Sequence, residues 1–310
     1  MRDSAVPVAD SEEVSVRRSL RFRLDLGYDG TDFAGWAKQP GLRTVQGVLE
    51  EAIDRIFGGR GTPARLVVAG RTDAGVHAAR QTAHVDLELA RVLALERPRR
   101  GEAAPADSAA ALVRKVNGVL GPISDVVLHR GSLVPDAFDA RFAASWRRYE
   151  YRVGDAHAFR DPLLRRSTAR VREALDVAAM NDACAELLGL HDFLSFCKPR
   201  TGATTIRTLQ EFVWERDENG ILRARLQADA FCHSMVRSLV GASVAVGSGR
   251  MDAAEMINAL HNPAPHRSWA TMPAHGLTLM EVHYPHEAEW LSRAQRTRAR
   301  RTLSGPVVDA

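Results

Sequence analysis

Leu20, Phe22, Leu24 and Leu26 alternate with Arg21, Arg23 and Asp25. A period of two fits a strand with one face buried and the other wet. The alternation returns in WRRYEYRV, where Tyr149, Tyr151 and Val153 share one face and Arg148, Glu150 and Arg152 the other. It returns once more where Leu222, Ala224 and Leu226 alternate with Arg223, Arg225 and Gln227, behind a Glu218-Asn219-Gly220 turn. Between these strands lie helical faces. Val45, Val48, Leu49, Ala52, Ile53 and Ile56 form one of them, with Thr44 placed to cap it. Further helices are expected near 110–120, over 171–190, over 234–246 and over 252–260. Short strands are expected at RLVVAG, QTAHVDL (Ala83, Val85 and Leu87 inward), SDVVLHRGSL and GLTLMEVHY. Strand, helix, strands, helix, strand is followed by a similar second order. The reading is α+β, with two sub-domains of mainly antiparallel mixed sheets flanked by helices. Their expected limits are 19–143 and 144–286, with a cleft between them.

Three segments fall outside this pattern. Residues 1–18 are polar and aperiodic, and read as a disordered tail. Residues 91–109 are rich in Ala, Pro and Arg, and read as a surface insertion. Residues 287–310 read as a basic tail. Of 42 basic residues only Lys38, Lys115 and Lys198 are lysines, against 38 acids, for a net charge of +4. The last twenty residues hold five arginines and one acid, so the whole excess sits there and the remaining body is neutral. Arginine's planar fork suits phosphate or carboxylate, although a genome rich in G and C produces the same bias. No apolar run approaches the ~20 residues of a membrane helix, and the N-terminus lacks a signal peptide's apolar stretch. A soluble, cytoplasmic protein is expected. Cys184, Cys197 and Cys232 are odd in number and scattered, which argues against a disulfide framework and for thiols in a reducing compartment. No CxxC pair suggests zinc.

Three segments carry polar groups that suit chemistry. In AGRTDAGVHA, residues 69–78, Asp73 lies in a compact turn between Gly70 and Gly75. It is a nucleophile, a general base or simply a turn-former. In DAFCHSMVRSLVG, residues 229–241, Arg237 stands four positions after His233 among Met235, Val236, Leu239 and Val240. Such an arginine either finds a partner or snorkels to solvent. In RRYEYRV the tyrosines are core aromatics or stacking surfaces for bases, with arginines beside them for phosphates.

AGRTDAGVHA closely resembles the catalytic-aspartate motif of the tRNA pseudouridine synthase A family. YDGTDFAGWAKQP with TVQGVLEEAI, FDARFAASWRRYEYRV, HDFLSF, DAFCHSMVRSLVG and APAHGLTLMEVHY resemble further family segments in the family's order, over about residues 20–285. The resemblance implies the pseudouridine synthase fold and isomerisation of uridine to pseudouridine at positions 38, 39 and 40 of the tRNA anticodon arm. It implies base flipping, no cofactor, no metal and a homodimer. Asp73 is implied as the essential carboxylate and Arg237 as its basic partner. Tyr149 is implied to stack on the uracil, Arg71 to hold the target nucleotide and Leu279 to touch the base. A non-catalytic RNA binder would have no need of this paired carboxylate. A metal-dependent nuclease would need clustered carboxylates or histidines.

Overall fold

The computed structural model describes residues 19–95, 107–200, 204–265, 268–298 and Leu303. The N-terminal tail and most of the 91–109 segment lie outside these residues. The first half runs β1 (Ser19–Tyr28), α1 (Val45–Ile56), β2 (Val67–Val68), β3 (His77–Glu88), α2 (Leu89–Leu95), α3 (Ser108–Leu120) and β4 (Val126–Val134). The second runs β5 (Trp146–Gly154), β6 (Ala169–Arg170), α4 (Val177–Ala185), β7 (Gly189–Asp192), β8 (Ile206–Arg216) and β9 (Leu222–Ala228). It continues with α5 (Met235–Gly247), α6 (Ala253–His261), β10 (Leu277–His283) and α7 (Trp290–Arg298).

Among the described residues all ten strands join one sheet, in the order β4-β1-β3-β10-β5-β9-β8-β7, with β2 on β3 and β6 on β5. The fold is α+β with a large, mostly antiparallel sheet flanked by helices, consistent with the pseudouridine synthase fold. The halves meet at β10, which is antiparallel to β5 but parallel to β3 over just Thr278↔His77 and Leu279↔Ala78. The last strand of the chain thus closes the seam between the halves, and Leu279 lies there, fully buried, between Ala78 and Tyr149.

The alternation observed in sequence becomes the two faces of this sheet. Phe22, Leu24, Leu26, Ala83, Val85, Tyr151, Ala224 and Leu226 enter one buried core with Leu49, Ile53, Leu112 and Leu239 from the helices. The opposite residues of β5, β8, β9 and β10 form a charged lattice, with Arg148–Glu281 at 3.4 Å, Arg152–Glu150 at 2.7 Å and Arg225–Glu215 at 2.8 Å. Thr44 caps α1 by accepting from the Gly47 amide, and Gly220 turns the β8–β9 hairpin at φ +76°.

Four sequence expectations change. The helix expected over 171–190 is confined to Val177–Ala185. Asp176 caps it, the chain before it has joined β5 as β6, and Gly189 at φ +107° opens β7. Strand pairing therefore overrides helical propensity at the C-terminal end, where 189 and 190 belong to β7, whereas 171–176 are irregular chain between β6 and the cap. The 91–109 segment begins as the end of α2, where Val92 and Leu95 are buried and Arg91 reaches Asp54 at 3.2 Å. The basic tail is in part a docked helix. Trp290 of α7 packs edge-on against Phe138 at 4.9 Å, in a small second core with Ala140 and Ala143. Finally, Cys197 and Cys232 are joined as a disulfide, while Cys184 is free and buried. Separation by 35 residues hides their proximity, because two loops that are distant in sequence converge beside the cavity described below.

His84 lies beneath this second core, 6.2 Å from the Phe138 ring, and accepts the Ala140 amide at 3.1 Å. Burial and the nearby Arg21 push its pKa from 6.5 down to about 4. As pH falls through that interval the unfolded chain takes up the proton and the folded chain does not. Stability is therefore complete above pH ~6.5 and declines toward pH ~4, by about 3 kcal/mol from this group. Urea midpoints at pH 7 and pH 4.5 measure the decline. His84→Gln, which keeps an acceptor but does not titrate, should remove that share; an equal decline in the variant would show that His84 is not its source.

Candidate active site

The AGRTDAGVHA loop enters the seam just before β3, and the YDGTDFAGW segment holds it. The Trp36 amide donates to the Thr72 carbonyl at 3.0 Å, the Gly75 amide to Phe33 at 3.3 Å, and Tyr28 and Thr72 hydroxyls pair at 2.8 Å. Gly30 donates its amide to His77 Nδ1 at 3.0 Å and has no room for a side chain: a Cβ there would lie 2.0 Å from the Val76 carbonyl oxygen. Gly30→Ala must displace one of two backbones. The expected cost is about 2–3 kcal/mol, the upper range for overpacking, together with lost activity because the Asp73 loop is the part that shifts. Thermal melting and turnover of the variant check this; wild-type values for both would show that the loop yields freely.

Asp73 faces a cavity of about 640 Å³ that is also lined by Arg71, Tyr149, His233, Ser234 and Arg237. Its Oδ2 lies 3.6 Å from Arg237 Nη1 and 3.4 Å from the Ser234 hydroxyl, and its Oδ1 lies 3.4 Å from His233 Nε2. Arg237 thus reaches a carboxylate, and its Nε donates to the Met272 carbonyl at 2.7 Å. That partner explains an arginine on so apolar a helix. His233 precedes α5, in a turn whose next residue, Ser234, is the one described non-glycine residue at positive φ, +63°. Ser234 occupies the N-cap position without capping and points its hydroxyl at Asp73 instead. A serine before a helix ordinarily reads as a cap, so nothing in the sequence distinguished it. Burial lowers the His233 pKa, opposed by Asp73 and reinforced by Arg200, Lys198 and Arg237. The imidazole is therefore neutral at pH 7, and Arg237 supplies the full positive charge beside Asp73.

Tyr149 lines the cavity at 8% exposure, edge-on to Phe231 at 5.2 Å, and burial raises its pKa well above the usual phenol range. Arg71 is exposed at the cavity. Leu279 is fully buried at the seam, and the β10 residue that lines the cavity is Leu277. Sequence reasoning missed Arg147. It is buried on the Tyr149 face and donates to the carbonyls of Asp229 (2.6 Å), Ala69 (2.9 Å) and Arg141 (2.8 Å), tying the strand that leads to Asp73 to β5. The Cys197–Cys232 bond lies in the same wall, adjacent to Lys198 and His233. Among the described residues no group of three or more His, Cys, Asp or Glu could hold a metal ion, and no helix is long and apolar enough to cross a membrane.

Comparison with known proteins places this chain in a class. Residues 183–285 match the family described as tRNA pseudouridine synthase, a class of isomerases. Over 286 residues the chain is 56% identical to the tRNA pseudouridine synthase A of Leifsonia xyli subsp. xyli, covering 92% of this chain and 99% of the relative. It is 48% identical to that of Streptomyces griseus subsp. griseus over 92% of this chain and 95% of the relative. It is 44% identical to that of Mycobacterium leprae over 92% and 96%. The chain belongs to the tRNA pseudouridine synthase A family.

Proposed function

We propose that this chain isomerises uridine to pseudouridine in the anticodon arm of tRNAs, at positions 38, 39 and 40, with Asp73 as the essential carboxylate. The observation that carries the reading is the Asp73–Arg237 pair at 3.6 Å on a cavity that also exposes Tyr149. The C1′–N1 bond breaks, the uracil turns, and a C1′–C5 bond forms. The proton on C5 leaves and N1 gains one, so atoms balance with no redox step. Asp73 either attacks C1′ or removes a ribose proton. Both routes require an ionised carboxylate, and Arg237 beside it favours that form. Tyr149 offers its ring to the uracil and, with its proton held by burial, remains a neutral phenol. Arg71, exposed at the cavity, holds the target nucleotide outside its stem. Leu279, immobilised at the seam, acts through Tyr149 and Ala78, its neighbours on either side. Extruding the base costs about a few kcal/mol in stacking and pairing, which arginine contacts to flanking phosphates offset. Recognition by shape and backbone suits a set of three neighbouring positions in many tRNAs. A cytoplasmic homodimer, with one tRNA touching both subunits, belongs to the same proposal.

The test is conversion of an unmodified tRNA transcript by the purified chain, with EDTA and no added cofactor, followed by mapping of pseudouridine. Product confined to positions 38, 39 and 40 is the expected result. Binding without conversion would leave an RNA-binding protein, and activity that EDTA abolishes would indicate a metal-dependent enzyme.

A further inference from the structure

The C-terminal helix does more than cover a small core. Its end forms part of the cavity rim, where Thr297 lines the same space as Asp73, Arg141 and Phe142. Trp290 anchors the start of α7 on Phe138, Arg293 donates to the Ser145 carbonyl at 3.0 Å, and Arg298 Nη2 meets Asp139 Oδ2 at 2.8 Å. The other Asp139 oxygen accepts the backbone amides of Arg141 (2.8 Å) and Phe142 (3.0 Å). One carboxylate therefore shapes the loop and fixes the helix end against it. As a result the guanidiniums of Arg141 and Arg298 each lie 4.9 Å from the centroid of the Phe142 ring.

Two cations on one ring repel each other. The ring's quadrupole and Asp139 offset this only in part, because Asp139 carries one charge and the arginines two. The cluster keeps a net positive charge at the mouth of a cavity that, on the function proposed above, receives a nucleotide. Arg141 is exposed, and the Arg298 side chain is 52% exposed although its Nη2 is held by Asp139, so both guanidiniums remain accessible to a planar or tetrahedral anion. A nucleotide that enters the cavity brings its flanking phosphates to this rim.

We propose that Arg141 and Arg298, held on Phe142, form a phosphate-binding pair for the RNA strand leading into the cavity, and that α7 is part of the RNA-binding surface. This rests on the function proposed above for its ligand. The family resemblance assigns neither arginine, and the pair depends on a helix that composition alone reads as a basic tail.

The test measures binding of an anticodon stem-loop RNA to the full chain across a salt series, for wild type, Arg141→Ala, Arg298→Ala, Arg298→Lys and the double alanine variant. Each alanine should reduce the slope of log K against log salt by about one, and the pair by about two. At fixed salt each should weaken binding about tenfold, as for one lost charge-assisted contact. Arg298→Lys should keep most of the slope. An unchanged slope in the double variant overturns the proposal. Arg141 is not among the partners of the Trp290, Arg293 and Arg298 contacts that dock α7, so Arg141→Ala decides alone if Arg298→Ala lowers the melting temperature; an unchanged slope there also overturns the pair. Conversion is read on the same RNA. Wild type that binds but does not convert uridine overturns the activity and leaves the phosphate pair standing, whereas an unchanged slope with normal conversion overturns the pair alone.

Discussion

Asp73→Asn should reduce pseudouridine formation by about 10³- to 10⁴-fold, the range for loss of an essential carboxylate base or nucleophile. Asparagine has nearly the same shape and can keep its acceptor oxygen toward Arg237 and Ser234, which lie 3.6 and 3.4 Å from Oδ2, while its amide nitrogen turns to the His233 ring nitrogen, 3.4 Å from Oδ1. Fold and melting temperature should therefore be close to wild type. Binding of an anticodon stem-loop should survive within about twofold, because phosphate contacts dominate affinity for RNA and Asp73 makes none. Single-turnover conversion and equilibrium binding, measured on one preparation, separate the two properties. Turnover undiminished in the variant would remove Asp73 from the chemistry and with it the proposed mechanism.

The second large effect is expected at Arg237. His233 is held neutral by burial, so Arg237 is the cation that faces the Asp73 carboxylate from α5. Arg237→Gln should lower the rate about 10²- to 10³-fold, the loss typical of one preorganised electrostatic partner. Arg237→Lys should recover a minor share. The guanidinium spans two acceptors, with Nε on the Met272 carbonyl at 2.7 Å and Nη1 toward Asp73 at 3.6 Å. A lysine is a single point charge and serves one of them at a time. The rates of the two variants at saturating RNA check this, with melting curves as the control for folding. A glutamine variant within threefold of wild type would show that the pair is structural.

The sheet was legible because a half-buried strand writes its two faces into alternate residues. Leu20–Leu26, Tyr149–Val153 and Leu222–Leu226 all bury the expected side. The helix over 171–190 was misjudged because local propensity is blind to strand partners, and β6 and β7 at its flanks exist through pairing with β5 and β8. At the candidate site the residues alone left Asp73 and Arg237 open, the resemblance implied them as partners, and the structure brings their side chains to 3.6 Å. Ser234 and Arg147 were hidden because a serine before a helix and an arginine on a strand look ordinary until the chain brings them to a cavity.

By itself the sequence determined the α+β class, the order of the longer strands and helices and the motif that carries Asp73, all of which are written in local spacing. It also located the whole charge excess in the last twenty residues. The tertiary structure decided what distance along the chain conceals. It merged the strands of both halves into one sheet through a short parallel contact at β10, joined Cys197 to Cys232, and turned part of a basic tail into a docked wall of the cavity. The physical reason is common to all three. Periodicity reports which face of an element is buried, whereas contacts between remote segments depend on how those faces pack together.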